Sequence, residues 1–478
     1  MRFPTCYCIA MLILSAACIK SFGQTSSTEF SALSSVAYKD RIAAMEKFKV
    51  QKIYSDKSAQ AWYEEFMTDR NNSLLDQFKN NNIVHDTLLL NKCNSILTRI
   101  RSSNKNYSFD SIRLYINRSS VANAACYGEG TLMVNLGLFL WIDNDDELAV
   151  VIGHELAHQL LKHKELQVSK NISTLTSEDF KAEIKDIKKS VNGRYDRLRK
   201  LMRGMHVEAG KHSRFKESEA DSLGVSLARN AGYDIARGSQ ILLKLDKVEQ
   251  PFTAKSLYIT KSFFEAAPID LSPLQMKSKY KGLSSVNVTM NADADTDSIK
   301  THPDCKERYR QITGTAATVE PACCTTLNDS HKPFKERAMF EIVRNHYDNN
   351  SLAYASHFSM MALTNNYDAT VYKRFLSLCF SRLFAEDQKL NRFNAANVGA
   401  KNQSTLKELQ DFLFAMKTAE LDAVSLYYLN QSSGMSVDDE FARLMYTTMV
   451  KQADATQAYA AFNKKFPDNK YQYLLLKK

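Results

Sequence analysis

His154-Glu155-Leu156-Ala157-His158 sits inside an apolar helical run, and that placement limits what the chain can fold into. Leu148, Ala149, Val150, Val151 and Ile152 precede it, and Leu160 and Leu161 follow. A run this apolar is a core helix. The histidines and glutamate within it need interior partners, since burying an unpaired polar group costs roughly 2–7 kcal/mol. Asn144 supplies an N-cap, and Asp145, Asp146 and Glu147 supply the acidic first turn that opens the helix. His154 and His158 stand four residues apart and so project from one face, where two imidazoles can hold one metal ion. Glu155 lies beside that ion. Its carboxylate is placed to take a proton from water made acidic by zinc, which is how peptide hydrolysis runs without a covalent intermediate.

A catalytic zinc site needs a third protein ligand and one open position. The best source is Phe215 to Asp221, where Glu217 and Asp221 are again four apart. A helix running through Leu223, Val225 and Leu227 to a stop at Gly232 puts both on one face. One of them ligates the metal and the other orients a ligand histidine through its second ring nitrogen; the spacing leaves the order open. Glu219 and Lys216 read as plain helix surface.

His154 to His158, followed roughly sixty residues later by Ser213-Arg214-Phe215-Lys216-Glu217-Ser218-Glu219-Ala220-Asp221-Ser222-Leu223-Gly224, resembles the metallopeptidase family that includes HtpX and the CAAX prenyl proteases, peptidase family M48. Two further segments agree. Ala122-Asn123-Ala124-Ala125 and Gly130 to Leu138 resemble the family's edge strand and the turn before its zinc helix. Thr301-His302-Pro303, with Arg308 five residues beyond the proline, resembles its Thr-His-Pro segment with a trailing arginine. The four matches, in order, cover about 80 to 315. The resemblance implies an α+β, mainly α fold: a gluzincin-type catalytic domain with a small sheet. It implies one zinc ion per chain held by His154, His158 and Glu217, with Glu155 as general base and Asp221 as the carboxylate behind a ligand. Asn123 and Ala124 would belong to a strand edge along which an extended peptide lies. His302 would act at the site, either stabilising the oxyanion or taking zinc's fourth position and holding the enzyme latent.

Cys6 to Ile19 is apolar, preceded by Arg2 and followed by Ser21-Phe22-Gly23-Gln24. It is too short to span a bilayer and has the layout of a secretory signal cleaved after Gly23. A second reading is lipid attachment at Cys18, because Leu14-Ser15-Ala16-Ala17-Cys18 resembles a lipobox. Leu132 to Ile142 is also too short to span, and reads as the strand and turn feeding the zinc helix. A soluble protein, exported to the periplasm or outside the cell, is expected, as in the BepA-like branch of the family. Cysteine use fits export: three of nine lie in the signal, and Cys93, Cys126, Cys305, Cys323, Cys324 and Cys379 remain for disulfides, with 15 full pairings open. No CxxC spacing points to cysteine-bound metal, and Cys126 reads as a small core residue.

The formal net charge is +10, and +8 without Arg2 and Lys20. Lys162 to Lys216 carries 15 Lys and Arg against 7 Asp and Glu, also +8, so the whole excess lies between the two metal motifs. With Leu166, Ile172, Leu175, Phe180, Ile184, Ile187, Val191, Tyr195 and Leu198 interleaved, this insert reads as one or two amphipathic helices beside the cleft. It is open to use as a lid, as a surface for anionic lipid or an acidic partner, or as a solvated face. Nucleic acid is not an expected partner of an exported protease.

Asp40 to Phe66 reads as a helical stretch packed on the catalytic domain through Ile42, Met45, Phe48, Ile53, Trp62 and Phe66. The Asn291 to Asp297 run lacks the central Gly and closing Glu of a calcium loop and reads as a polar surface loop. From Lys332 onward the pattern is helical: Thr405 to Glu408 reads as a capping box and Ser436 as a second cap. Ala458 to Phe462, then Phe466-Pro467, resembles the second helix and exit proline of a tetratricopeptide repeat, although no 34-residue period recurs. At 478 residues and 44% hydrophobic content the chain can fill two cores. The expected division is a signal at 1–23, a metallopeptidase domain at 24–318 with N-terminal helices over 35–80, and an all-α helical-hairpin domain at 319–478. Two functions compete. One is an exported zinc endopeptidase acting on misfolded or stalled envelope proteins, with partner proteins held on the C-terminal hairpins. The other is a chaperone-like scaffold with a latent zinc site, and retention of Glu155 favours the enzyme.

Overall fold

The computed structural model describes residues 34–190, 193–248, 262–265, 267, 269–271, 305–314, 330–396, 404–432 and 434–471. The segment expected to be a secretory signal, with Cys18, the Thr301-His302-Pro303 segment, the 291–297 run, and Cys323 and Cys324 lie outside these residues.

Alternation along the central strands decides what covers each face of the sheet. The strands are β1 (Ile83–Val84), β2 (Arg113–Asn117), β3 (Ala124–Cys126) and β4 (Thr131–Asn135), in spatial order β1-β2-β4-β3. β2 runs parallel to β4, with Leu114 opposite Leu132 and Ile116 opposite Val134, while β1 and β3 are antiparallel to their neighbours. A period of two sends Leu114, Ile116, Leu132 and Val134 to one core and Tyr115 and Met133 to another. The second core is closed by helices α1 (Lys39–Glu46) and α2 (Lys57–Lys79), whose Met45, Leu74 and Phe78 are buried. The first is closed by α3 (Thr87–Ser103) and α4 (Asp145–Leu160). The result is the mainly helical α+β architecture expected.

Where one N-terminal helical stretch was expected over Asp40 to Phe66, two helices form. Asp56 accepts the Ala59 amide at 2.8 Å and caps α2, and Gln60 Oε1 accepts the amides of Ile53 and Tyr54 at 3.0 Å each. These side-chain bonds satisfy the backbone before α2 outside any helix. At α4 the expected cap is present: Asn144 accepts the Glu147 amide at 3.0 Å. Two of the acids after it, Asp146 and Glu147, turn inward. Asp146 accepts the Asp234 amide at 3.0 Å, and buried Glu147 takes Lys244 Nζ at 2.6 Å.

The basic insert forms α5 (His163–Thr176), α6 (Glu178–Lys189) and the first half of α7 (Arg194–Asn230), one helix more than expected. α7 therefore runs without a break from the insert into the segment carrying Glu217. It ends before Gly232, whose φ of +76° is the left-handed stop. Ile172 and Ile187 are buried, whereas Tyr195 and Leu198 are exposed, so the start of α7 leaves apolar side chains in solvent.

Beyond α8 (Gln240–Val248) and α9 (Cys305–Thr313) the rest is helical: α10 (Lys332–Asp348), α11 (Leu352–Thr364), α12 (Ala369–Gln388), α13 (Ser404–Ala415), α14 (Thr418–Gln431), α15 (Val437–Met449) and α16 (Ala455–Lys465). α10 is buried on two sides. Ala338 and Ile342 join the catalytic core, and Met339, Phe340 and Val343 join the C-terminal one. Its buried charges reach back as well: Arg337 Nε binds Asp86 at 2.6 Å and its Nη2 binds Glu341 at 2.8 Å, while Arg118 pairs with Glu341. Ser436 caps α15 as expected, exchanging bonds with Asp439 at 3.1 and 3.2 Å. The helix expected from Thr405 onward forms as α13.

No disulfide joins two of the described residues; Cys93, Cys126, Cys305 and Cys379 are all buried. Burial pushes the thiols of Cys93, Cys126 and Cys379 up to about 12. Among the described residues no helix is long and apolar enough to cross a membrane.

Candidate metal centre

Two glycines let α4 and α7 touch backbone to backbone. A Cβ on Gly224 would stand 2.7 Å from His154 Cα, and one on Gly153 would stand 2.6 Å from the Gly224 carbonyl oxygen. Glu217 and Asp221 precede Gly224 by seven and three residues, so all three share the helix face that meets α4. The crossing brings the donors together. His154 Nε2 lies 3.3 Å from Glu217 Oε2, His158 Nε2 lies 3.4 Å from Glu217 Oε1, and the two Nε2 atoms are 3.0 Å apart. One donor atom from each of the three residues falls within 4.8 Å of the others.

Zinc fits this set. Bonds of about 2.0–2.1 Å in a tetrahedron place donors about 3.3–3.4 Å apart, and two imidazoles with one carboxylate are a known catalytic ligand class. The local charge agrees, since the buried carboxylates of Glu217 and Asp221 both lie beside Arg308, with a third buried carboxylate, Glu155, next to His154 on α4. Burial and Arg308 press His154 toward neutrality, but Asp221 and Glu217 outweigh them and lift its pKa to about 9. The centre therefore favours added positive charge.

The order that spacing left open is visible in the geometry. Glu217 lies on the Nε2 side of both histidines, and Asp221 Oδ1 lies 2.9 Å from His154 Nδ1, on the far side of that ring. Arg308, from α9, grips Asp221 with two bonds, Nε at 2.7 Å and Nη2 at 2.6 Å. Burial alone would raise the Asp221 pKa, but hydrogen bonds from Arg308 and His154 bring it down to about 2. Arg308 is itself 8% exposed and held well above the usual guanidinium range.

His158 is backed differently. Its Nδ1 lies 2.9 Å from Nδ1 of buried His163, and His163 Nε2 lies 3.5 Å from Glu219 Oε2. Lys216 Nζ donates to the His163 carbonyl at 3.2 Å and to Gln167 Oε1 at 3.1 Å. Glu219 and Lys216 are thus not plain surface: they meet His163 and Gln167 at the start of α5, a tertiary contact that the periodicity of α7 does not contain. His163 is the functional neighbour that sequence reasoning missed. Its signal was a histidine five residues after His158. Arg308 had been marked only as a trailing residue, without a partner.

Glu155 is 7% exposed and follows His154 on α4. It adds to the raised pKa of Cys126 on β3, which burial chiefly lifts against a backbone bond from Gly128 that lowers it. Cys126 Sγ also donates to Gln159 Oε1 at 3.3 Å, so β3 lies against the catalytic face of α4. β3 is an outer strand of the sheet. It contains Ala124, and Asn123 precedes it with its carbonyl accepting the Asn135 amide at 3.0 Å. His302 is outside the described residues; α9, which starts at Cys305, is anchored in the centre through Arg308.

Residues 91–316 match the model of peptidase family M48, a range that contains all the groups described above. The chain is similar to the mitochondrial metalloendopeptidase OMA1 of Arabidopsis thaliana, 29% identical over 130 residues, which are 27% of this chain and 24% of that protein. It is also similar to the beta-barrel assembly-enhancing protease of Yersinia pestis, 24% identical over 165 residues, 34% of each chain. The matches thus span about a quarter to a third of these relatives. The donor set, the helix crossing and the match to peptidase family M48, a family of zinc-dependent metalloproteases, thus all fall on one segment, residues 91–316.

Proposed function

We propose that the protein is an exported zinc-dependent endopeptidase, with His154, His158 and Glu217 as the metal ligands. The observation that carries this reading is the convergence of those three donors beside Glu155. Bound zinc supplies Lewis acidity, making water deprotonable near neutral pH and polarising a carbonyl. Glu155 takes the proton from the attacking water and passes it to the departing amine nitrogen. Asp221, itself clamped by Arg308, holds the proton on His154 Nδ1 so that Nε2 keeps its lone pair. The outer edge of β3, with Asn123 and Ala124, offers main-chain groups to an extended peptide, which gives binding with little sequence preference. By the family resemblance His302, outside the described residues, would serve as the further catalytic or restraining group.

Misfolded or stalled envelope polypeptides are the proposed substrates. The secretory layout of residues 1–23 and the likeness to a beta-barrel assembly-enhancing protease support this. The C-terminal hairpins would hold partner proteins, and the basic insert, with exposed Leu166, Tyr195, Leu198 and Phe215, would meet a membrane surface. Chelation tests the metal's role. Protein stripped of metal should lose cleavage of an unfolded polypeptide and regain it with one equivalent of zinc; full activity after stripping would refute the reading.

A further inference from the structure

We propose that His163, steadied by Glu219, is the positioning residue for His158, giving the two ligand histidines supports of unlike chemistry. The proposal rests on the metal-centre reading above. For His158 to present a lone pair at Nε2, its proton must sit on Nδ1, and an N–H in this interior needs an acceptor. The atom 2.9 Å away is His163 Nδ1. If that nitrogen accepts, the His163 proton must be on Nε2, which stands 3.5 Å from the acceptor Glu219 Oε2. The donors therefore run one way, His158 to His163 to Glu219, and each tautomer fixes the next.

The backbone is shaped to make this contact. Lys162, between α4 and α5, has φ +54°, a left-handed conformation that costs a non-glycine residue roughly 1–2 kcal/mol. That reversal turns His163, the first residue of α5, back toward His158. Lys216 then holds the His163 carbonyl from α7. His154 is instead backed by Asp221, an arginine-clamped carboxylate. A charge-assisted bond on one side and a neutral imidazole bond on the other differ about twofold in strength, so His158 is the more weakly held ligand. Its loss from zinc would precede that of His154.

Zinc affinity of the full chain, measured by chelator competition, tests this. Removing such an outer partner typically weakens metal binding 10–100-fold. His163→Leu, which keeps bulk without an acceptor, should show that loss, while His163→Asn, which keeps an acceptor, should recover most of it. The visible spectrum of the cobalt-loaded protein should shift in the Leu variant and return toward wild type in the Asn variant. Equal affinity of both variants, whether both wild-type or both weak, would overturn the proposal. If His163→Leu does not fold, Glu219 decides: Glu219→Gln should bind zinc like wild type and Glu219→Leu several-fold more weakly, and equal affinities would overturn it. Wild-type protein that binds no zinc would defeat the metal-centre reading and this proposal together. One zinc bound at unchanged affinity in both His163 variants would defeat this proposal alone.

Discussion

Asp221 and Arg308 form a buried pair in which each charge depends on the other. Asp221→Ala would leave the guanidinium buried without its main partner, a loss of about 3–5 kcal/mol for such pairs. Thermal unfolding should show the drop, and zinc affinity should fall about 10–100-fold because His154 Nδ1 loses its acceptor. Lys162→Gly should act the other way, stabilising by up to about 1 kcal/mol, since glycine adopts φ +54° without a Cβ penalty. At this scale the grouping of His154 and His158 with Glu217 and Asp221 was legible because a four-residue spacing encodes one face of a helix. His163 was not, because its direction depends on the left-handed Lys162, which no propensity announces. Arg308 carried no readable partner, because its ion pair joins positions 87 residues apart.

The crossing of α4 and α7 is the element that makes the centre. Gly224→Ala would drive a methyl group into the His154 backbone, where no flexible side chain can yield. The helices must part, at a cost of about 1–3 kcal/mol by analogy with overpacked cores. Zinc affinity should fall together with melting temperature; a variant that melts like wild type and binds zinc equally well would mean the crossing is looser than described. The central helix and its Asn144 cap were readable from the apolar run and its acidic start. The insert was read one helix short, and α1 and α2 were merged, because Gln60 and Asp56 satisfy the intervening amides from within the next helix. Apolar spacing counts buried faces, and it is blind to side chains that replace backbone partners.

The whole molecule is held together by α10, which contributes to two cores at once. A chain ended at 318 would lack Ala338 and Ile342 from the catalytic core and leave Asp86 without Arg337. Such a fragment should melt well below the full chain or fail to fold, so the sequence-based boundary at 318 is not expected to yield an independent catalytic unit. Acid should weaken the C-terminal half. Burial lowers His346 to about 4, with His357 adding to the effect, and burial also lowers His357 to about 4, against an ordinary histidine value near 6.5. Above pH 6.5 both are neutral folded or unfolded and contribute nothing. As pH falls from 6.5 toward 4 only the unfolded chain takes up the proton, so stability declines. His346→Phe, which keeps the stacking on Tyr354 and Phe358, should flatten that decline by up to about 1.4 kcal/mol per pH unit. The most direct test of the catalytic assignment is hydrolysis of an unfolded polypeptide by wild-type protein and Glu155→Gln at matched zinc content. Glu155→Gln should retain one zinc per chain and lose cleavage by at least about 100-fold, the scale of a missing general base; equal cleavage by the two proteins would contradict the role of Glu155 and with it the proposed peptidase chemistry.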